Sequence, residues 1–159
     1  MNALRLRGFN RAKQDDKKRL ALPSRYRQSY LSALGEDWSR ELVCALHYKL
    51  DCLVLWLPEE HDAFAEDLEA RGAFDEHVEI TQFRAVDHSA DVSMDKQWRM
   101  LIPQDLRERA KIGDDLVMLG RGRQIQVWDA AIYDQYFEDA RRVAKERGAQ
   151  PSEALRGER

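Results

Sequence analysis

The sequence has few of the features that mark exported, membrane or metal-binding proteins. No apolar run approaches the roughly 18 residues needed to cross a bilayer, and no apolar signal segment follows the charges of residues 1–7. We therefore expect a cytoplasmic protein with no membrane partner. The two cysteines, Cys44 and Cys52, lie in apolar surroundings without metal-ligand spacing, which predicts buried, reduced thiols.

Motifs of catalysis and ligand binding are also missing. The sequence contains no glycine-rich phosphate loop and no nucleophile elbow. Asp87, His88 and Ser89 are adjacent, and neighbouring side chains of an extended segment point to alternate sides, so they cannot form a catalytic relay. No pair among the four histidines has the helical spacing of a zinc site. We predict no enzyme activity, metal site, cofactor or small-molecule ligand.

What the sequence does contain is charge, and it is distributed unevenly. The chain is 43% hydrophobic and 35% charged, which suits a globular protein, and its net charge of -3 discourages nucleic-acid binding as a whole. Residues 1–27, however, hold nine Lys or Arg against two Asp, whereas residues 57–80 hold nine acids against Arg71 alone. A basic surface for a polyanion can therefore coexist with an acidic helix.

The chain is an internal duplication. KKRLALPSRYRQSY, from Lys17, aligns with QWRMLIPQDLRERA, from Gln97, at an offset of 80 residues, whereas Trp56 aligns with Trp128 at an offset of 72. The first copy therefore carries about eight extra residues, which we place in a polar loop over residues 34–40. We assign the first repeat to residues 5–72 and the second to residues 84–147, and we predict a flexible tail over residues 148–159.

Both copies show the same predicted order of elements: strand, polar turn, strand, short helix, hairpin and closing helix. The predicted ranges after the first strand are 19–22, 24–33, 42–46, 52–56 and 59–71 in the first copy, and 99–102, 104–110, 116–119, 124–128 and 130–147 in the second. The last helix is predicted to bury an apolar stripe, as core or as a subunit contact. The stripe consists of Ile132, Tyr133, Tyr136, Phe137, Ala140, Val143 and Ala144.

Three segments resemble the MraZ family of bacterial transcriptional regulators: LRGFNRAKQDDKKRLALPSRYR, DHSADVSMDKQWRMLIPQDLR and VMLGRGRQIQVWD. The resemblance covers about residues 6–137, in register and twice over. It implies a mixed β and α fold, namely a duplicated AbrB/SpoVT-like swapped-hairpin β-barrel with flanking helices. It also implies homo-oligomeric rings at the nucleoid, which bind short direct repeats of double-stranded DNA upstream of division and cell-wall genes.

The element that the family shares is Asp-x-x-x-Arg, which occurs here as Asp15 with Arg19 and as Asp95 with Arg99. The planar fork of arginine pairs with the guanine edge in the major groove, and a neighbouring carboxylate can hold that fork in one orientation. We predict that the two arginines contact bases or phosphates and that the two aspartates orient them. Further contacts to the DNA backbone are expected from Arg7, Lys13, Lys17 and Lys96.

The chain departs from the family at the residue before each motif arginine, where glycine is usual. Lys18 and Trp98 take these positions. A left-handed residue there would cost a non-glycine side chain about 1 to 2 kcal/mol. Lys18 offers a phosphate contact, whereas Trp98 offers stacking on DNA, insertion into DNA or packing against a neighbouring subunit, and the sequence leaves these open.

Two alternatives to DNA contact remain. Each Asp–Arg pair can be a structural ion pair that closes its hairpin. The acidic stretch around residues 59–79 is typical of a solvated helix, but it can also recruit a basic partner. If the residues at positions 18 and 98 have altered or abolished DNA binding, the chain is an AbrB-fold scaffold or an antitoxin-like protein-interaction paralogue.

Overall fold

The computed structural model describes residues 3–72 and 74–148. Its strands are β1 (Leu6–Lys13), β2 (Arg19–Ala21), β3 (Glu41–Leu46), β4 (Leu53–Trp56), β5 (Ser89–Ser93), β6 (Arg99–Leu101), β7 (Asp115–Gly122) and β8 (Gln124–Asp129). Its α-helices are α1 (Ser24–Leu34), α2 (Pro58–Arg71), α3 (Glu76–Gln82), α4 (Gln104–Arg109) and α5 (Ala130–Glu146). A π-helical turn covers Phe83–Asp87. The mixed β and α class and the repeated element order are confirmed.

The two halves of the chain exchange strands. One sheet has six strands in the order β1-β7-β8-β4-β3-β5, and a second sheet pairs β2 with β6. The first strand of each half, β1 or β5, is antiparallel to the third strand of the other half, β7 or β3. Among the described strands β1 and β5 are edges of the larger sheet, so this sheet is open and is not a closed barrel.

The main core lies between one face of the six-stranded sheet, the β2–β6 pair and helices α1 and α4. Helix α1 buries Tyr26, Tyr30 and Ala33, whose spacing places them on one helical face. The Tyr26 hydroxyl donates a hydrogen bond of 2.8 Å to the Gly8 carbonyl oxygen. This bond ties α1 to β1, the strand that leads into the first turn.

A smaller cluster lies on the other face of the sheet, under α5, and contains Cys52, Val117, Leu119 and Trp128. The prediction that α5 buries its whole apolar stripe is wrong for the single chain, because no residue of this helix is buried. Tyr136 and Phe137 are 45% and 54% exposed. Ile132 and Tyr133 pack against this cluster, and the ring of Tyr136 lies 5.2 Å from that of Trp128 although Tyr136 stays half-exposed.

The segment between the halves contains structure that the sequence did not predict, namely α3 and the π-helical turn. Asp87 ends this turn, so the prediction of an extended segment from Asp87 to Ser89 is wrong. The Ser89 hydroxyl donates to the Val86 carbonyl oxygen at 2.6 Å. The repeat boundaries at residues 5–72 and 84–147 stay a prediction, and residues 149–159 of the predicted tail lie outside the described residues.

Two further local predictions, the buried thiols and the glycine-containing turn, agree with the structure. Both thiols, Cys44 and Cys52, are free and buried. The GRGR segment turns between β7 and β8, with Gly122 at a φ of 72° that glycine adopts without steric cost. No described helix is long and apolar enough to span a membrane.

Candidate nucleic-acid interface

The first turn, between β1 and β2, is organised around one carboxylate. Asp15 Oδ1 accepts from the backbone amides of Lys17 and Arg19 at 2.9 and 2.8 Å. Asp15 Oδ2 accepts from Arg19 Nε at 2.8 Å. The backbone closes the same loop, since the Lys18 amide donates to the Asp15 carbonyl oxygen at 2.9 Å. The carboxylate therefore fixes both the backbone of the turn and the arginine that follows it.

The second turn, between β5 and β6, repeats this arrangement. Asp95 Oδ1 accepts from the amides of Gln97 and Arg99, each at 2.9 Å, and Asp95 Oδ2 accepts from Arg99 Nε at 2.9 Å. The Trp98 amide donates to the Asp95 carbonyl oxygen at 3.0 Å. One contact differs, because Arg99 Nη2 also donates to Gln97 Oε1 at 2.7 Å.

These hydrogen bonds change the acidity of both aspartates. The backbone amide of Arg19, followed by its side chain, holds the pKa of Asp15 below its ordinary value. The Arg99 amide and side chain do the same to the pKa of Asp95. Donors that bond to the charged form favour it, so both carboxylates are ionised at neutral pH.

The residues at the two positions where the resemblance implies glycine adopt the left-handed conformation. Lys18 and Trp98 both have a φ of 63°. Lys18 Nζ lies 2.8 Å from Asp114 Oδ1, in the loop before β7. Trp98 is only 8% exposed and packs within its own chain, so its ring is not presented for the stacking, insertion or subunit contact that the sequence left open.

The β2–β6 pair brings the two motif arginines to one surface. Leu20 and Met100 are buried, and alternation along each strand therefore turns their neighbours outward. Arg19 is opposite Leu101, and Arg99 is opposite Ala21, so the arginines occupy diagonal positions, about 7 to 8 Å apart at Cα. Their side chains are 30% and 31% exposed. We call this surface of Arg19, Ala21, Arg99 and Leu101 the arginine face.

The other predicted contact residues divide into two groups. Lys17 and Lys96 are exposed in the two turns beside the arginine face. Lys13 ends β1 next to the first turn, with Nζ 3.7 Å from Asp115 Oδ1. Arg7 pairs with Arg121 near the opposite end of β1, about 20 Å from Lys13 at strand spacing, so the structure does not bring Arg7 to the other predicted residues.

Sequence reasoning missed Arg40, which supports the second turn. Its guanidinium carbon lies 4.0 Å from the centroid of the Trp98 ring. Its Nη1 donates to the carbonyl oxygens of Asp95 and Lys96 at 3.3 and 3.4 Å. Arg40 belongs to the extra loop of the first copy. Alignment of the two copies therefore gave Arg40 no counterpart, and nothing in the sequence pointed to its role.

The described residues provide neither a cluster of metal ligands nor a reactive thiol. Within residues 3–72 and 74–148, no group of three or more His, Cys, Asp or Glu side chains could hold a metal ion. Burial raises the pKa of Cys44 far above its ordinary value and that of Cys52 to about 12. Both thiols are therefore protonated at neutral pH and are poor nucleophiles.

Comparison with known proteins places the chain in a family. A family model described as MraZ protein, antitoxin-like, matches residues 86–151. Proteins named "Transcriptional regulator MraZ" are similar to the chain over most of its length. Those of Legionella pneumophila strain Corby and Hydrogenovibrio crunogenus are 33% and 30% identical over 128 residues, which cover 80% of this chain and 82% of each relative. The relative in Methylococcus capsulatus is 33% identical over 129 residues, 81% of this chain and 82% of its own. The chain therefore belongs to the MraZ family.

Proposed function

We propose that the protein is a sequence-specific DNA-binding transcriptional regulator and that the arginine face is its DNA contact surface. The observation that carries the proposal is the pair of equivalent turns, which hold Arg19 and Arg99 outward on one two-stranded sheet. Membership of a family whose relatives are named transcriptional regulators supports the same function.

The hydrogen bonds suit base or phosphate recognition. Asp15 and Asp95 engage their arginines through Nε, so Arg19 Nη1 and Nη2 and Arg99 Nη1 have no hydrogen-bond partner among residues 3–72 and 74–148. These nitrogens are donors in a fixed plane, which suits guanine O6 and N7 or a phosphate. The ionised aspartates hold the plane before DNA arrives and so reduce the entropy lost on binding.

The exposed lysines around the arginine face supply the sequence-independent contacts. Lys17, Lys18 and Lys96 lie in the turns, and Lys13 lies at the end of β1. Lys13 and Lys18 are held near acidic residues of the β7 end, and we propose that both ammonium groups also contact phosphates. Neutralising phosphates releases counterions, so the affinity for DNA should fall steeply as salt increases.

One arginine face contacts few base pairs, so several copies must act together for useful affinity. We propose that the protein assembles into a homo-oligomeric ring over short direct repeats upstream of division and cell-wall genes. The apolar stripe of α5 supports self-assembly, because Tyr136 and Phe137 are exposed in the single chain. We also propose that the exchange of β1 and β5 is the AbrB/SpoVT-like swapped-hairpin arrangement.

Arginine substitution tests this function. Arg19→Ala and Arg99→Ala should each weaken binding to the DNA upstream of the protein's own gene by about 1 to 3 kcal/mol per site, measured by gel shift. Arg71→Ala is a matched control, because Arg71 also bonds through Nε to an aspartate four residues earlier, Asp67, at 3.0 Å. It should leave DNA binding unchanged.

Two results would count against the proposal. If both motif variants fold and bind DNA as the unsubstituted protein does, the Asp–Arg pairs are structural ion pairs. If the unsubstituted protein shifts no DNA, the protein is a scaffold or a protein-interaction paralogue, which was the alternative drawn from the sequence.

A further inference from the structure

Helices α2 and α3 enclose an open groove away from the arginine face. Its volume is about 370 Å³. The lining is largely apolar, with two carboxylates and one amide at the rim. We call it the α2–α3 groove, and its residues are Leu68, Glu69, Gly72, Val78, Glu79, Gln82 and Phe83.

The local sequence leaves this groove uncovered. Helix α2 ends at Gly72, and Asp75 begins α3 by accepting from the amides of His77 and Val78 at 2.9 and 3.4 Å. No residue of α3 is buried, and beside it Phe83 is 54% exposed. A cluster of exposed apolar side chains bordered by polar ones is typical of a binding surface.

The charge around the groove is almost entirely negative. Residues 57–80 contain nine acids, and Arg71 is the single cation among them. Arg71 is engaged with Asp67, and Arg123 is engaged with Glu60 at 2.7 Å. The other seven carboxylates make no ion pair with any residue of the described ranges: Glu59, Asp62, Glu66, Glu69, Asp75, Glu76 and Glu79. Such a field repels DNA and attracts a cationic partner.

We propose that the α2–α3 groove binds a basic amphipathic helix of another protein. Apolar side chains of that helix would enter the groove, and its lysines or arginines would face the rim carboxylates, as in other helix-in-groove complexes. The chain's own amphipathic helix fits less well. Helix α5 carries four acidic and three basic side chains, so its charge does not complement the groove.

The groove and the arginine face can be occupied together. The π-helical turn is fixed to the loop between β3 and β4, because Arg84 donates to the carbonyl oxygens of His47 and Leu50 at 2.9 and 3.1 Å. His61 Nε2 joins α2 to the turn through the Ala85 carbonyl oxygen at 2.8 Å. Strand β5 is about 17 Å long and lies between the π-helical turn and the second turn, which carries Asp95 and Arg99.

A designed peptide tests the proposal on the full chain. The probe is a fluorescein-labelled peptide of about 18 residues, with leucines on one helical face and lysines on the other. We expect the peptide to bind the protein, with a rise in its fluorescence anisotropy. We expect Phe83→Ser to weaken the affinity for the peptide about tenfold. Phe9→Ser on β1 is the matched control, since Phe9 is also an exposed phenylalanine, at 43% against 54% for Phe83. It should leave the affinity unchanged.

Further measurements distinguish a partner helix in the groove from attraction by charge alone and from a second copy of the chain. A peptide of the same composition in scrambled order should bind at least about tenfold more weakly than the amphipathic one. Equal binding of both peptides, or equal affinity of the Phe83→Ser and Phe9→Ser variants, would show attraction by charge alone and would overturn the proposal. A smaller assembly by sedimentation for Phe83→Ser, but not for Phe9→Ser, would assign the groove to a second copy and would also overturn it. DNA binding by Phe83→Ser, measured by gel shift, should be unchanged, so this proposal and the DNA-binding function can fail separately.

Discussion

The two turns have the same hydrogen bonds but different supports. Each uses one aspartate to bond two backbone amides and one arginine Nε, and each has a left-handed residue before the arginine. In the first turn that residue is Lys18, whose ammonium forms an exposed ion pair with Asp114. In the second turn it is Trp98, which is buried beneath Arg40. The aspartate and the backbone therefore set the turn geometry, and the left-handed residue sets how firmly the turn is attached to the protein.

The two attachments differ in strength on physical grounds. An exposed ion pair contributes about 0 to 1 kcal/mol, because water screens it and ordering two long side chains costs entropy. A buried tryptophan contributes through its apolar area, and a guanidinium over its ring adds about 0.5 to 2 kcal/mol. We infer that the second turn is the more rigid of the two.

Removing the two side chains should give the largest contrast. Trp98→Ala should lower the free energy of unfolding by about 3 to 5 kcal/mol, because it leaves a cavity in the main core beneath Arg40. Lys18→Ala should lower it by less than about 1 kcal/mol. Urea denaturation followed by circular dichroism measures both. Equal losses would show that the two supports are equivalent.

Restoring glycine should change stability in opposite directions at the two turns. Lys18→Gly should raise the free energy of unfolding by about 0.5 kcal/mol, because relief of the left-handed conformation exceeds the loss of an exposed ion pair. Trp98→Gly should lower it by about as much as alanine does, since the lost packing dominates. Thermal unfolding of both variants tests the signs, and a stabilised Trp98→Gly would contradict this account.

Acid should act more strongly on the first turn. The pKa values of Asp15, Asp95 and Asp114 are all lowered, and two of these carboxylates support the first turn, whereas one supports the second. A lowered pKa stabilises the fold above the ordinary carboxyl pKa, and this contribution is lost as the pH falls through the lower, folded value. Amide exchange should therefore show the first turn opening before the second during acid titration. Simultaneous opening would contradict the prediction, and Asp114→Asn should give the two turns the same number of acid-sensitive carboxylates and so the same pH dependence.

Local features could be predicted from the sequence because neighbouring residues determine them. The spacing of Asp15 and Arg19, the proline that ends β2 and the periodicity of α1 all depend on a few adjacent positions. The duplication then transferred each prediction to the second half. Both left-handed positions were also foreseeable, since the family's glycine indicates the backbone conformation that its replacements must adopt.

The features that could not be predicted depend on contacts between distant parts of the chain. Alternation along β1 indicates a strand but not that its partner is β7 of the other half. The apolar stripe of α5 was predicted, but its exposure depends on how little sheet surface lies beneath the helix. Arg40 contacts Trp98 only because the extra loop brings it next to the second turn. Neither alignment nor periodicity records such contacts.

The exchange of strands affects how the protein is made. Strand β1 leaves the ribosome more than 100 residues before its partner β7 is complete, since Leu6 pairs with Gly122. Until then β1 lacks that partner, and the β2–β6 pair forms only when the second half has been synthesised. A prematurely terminated product would therefore have no assembled arginine face, so the DNA recognition that we propose would be a property of nearly finished chains. The same long-range pairing should make folding slow for a protein of this size.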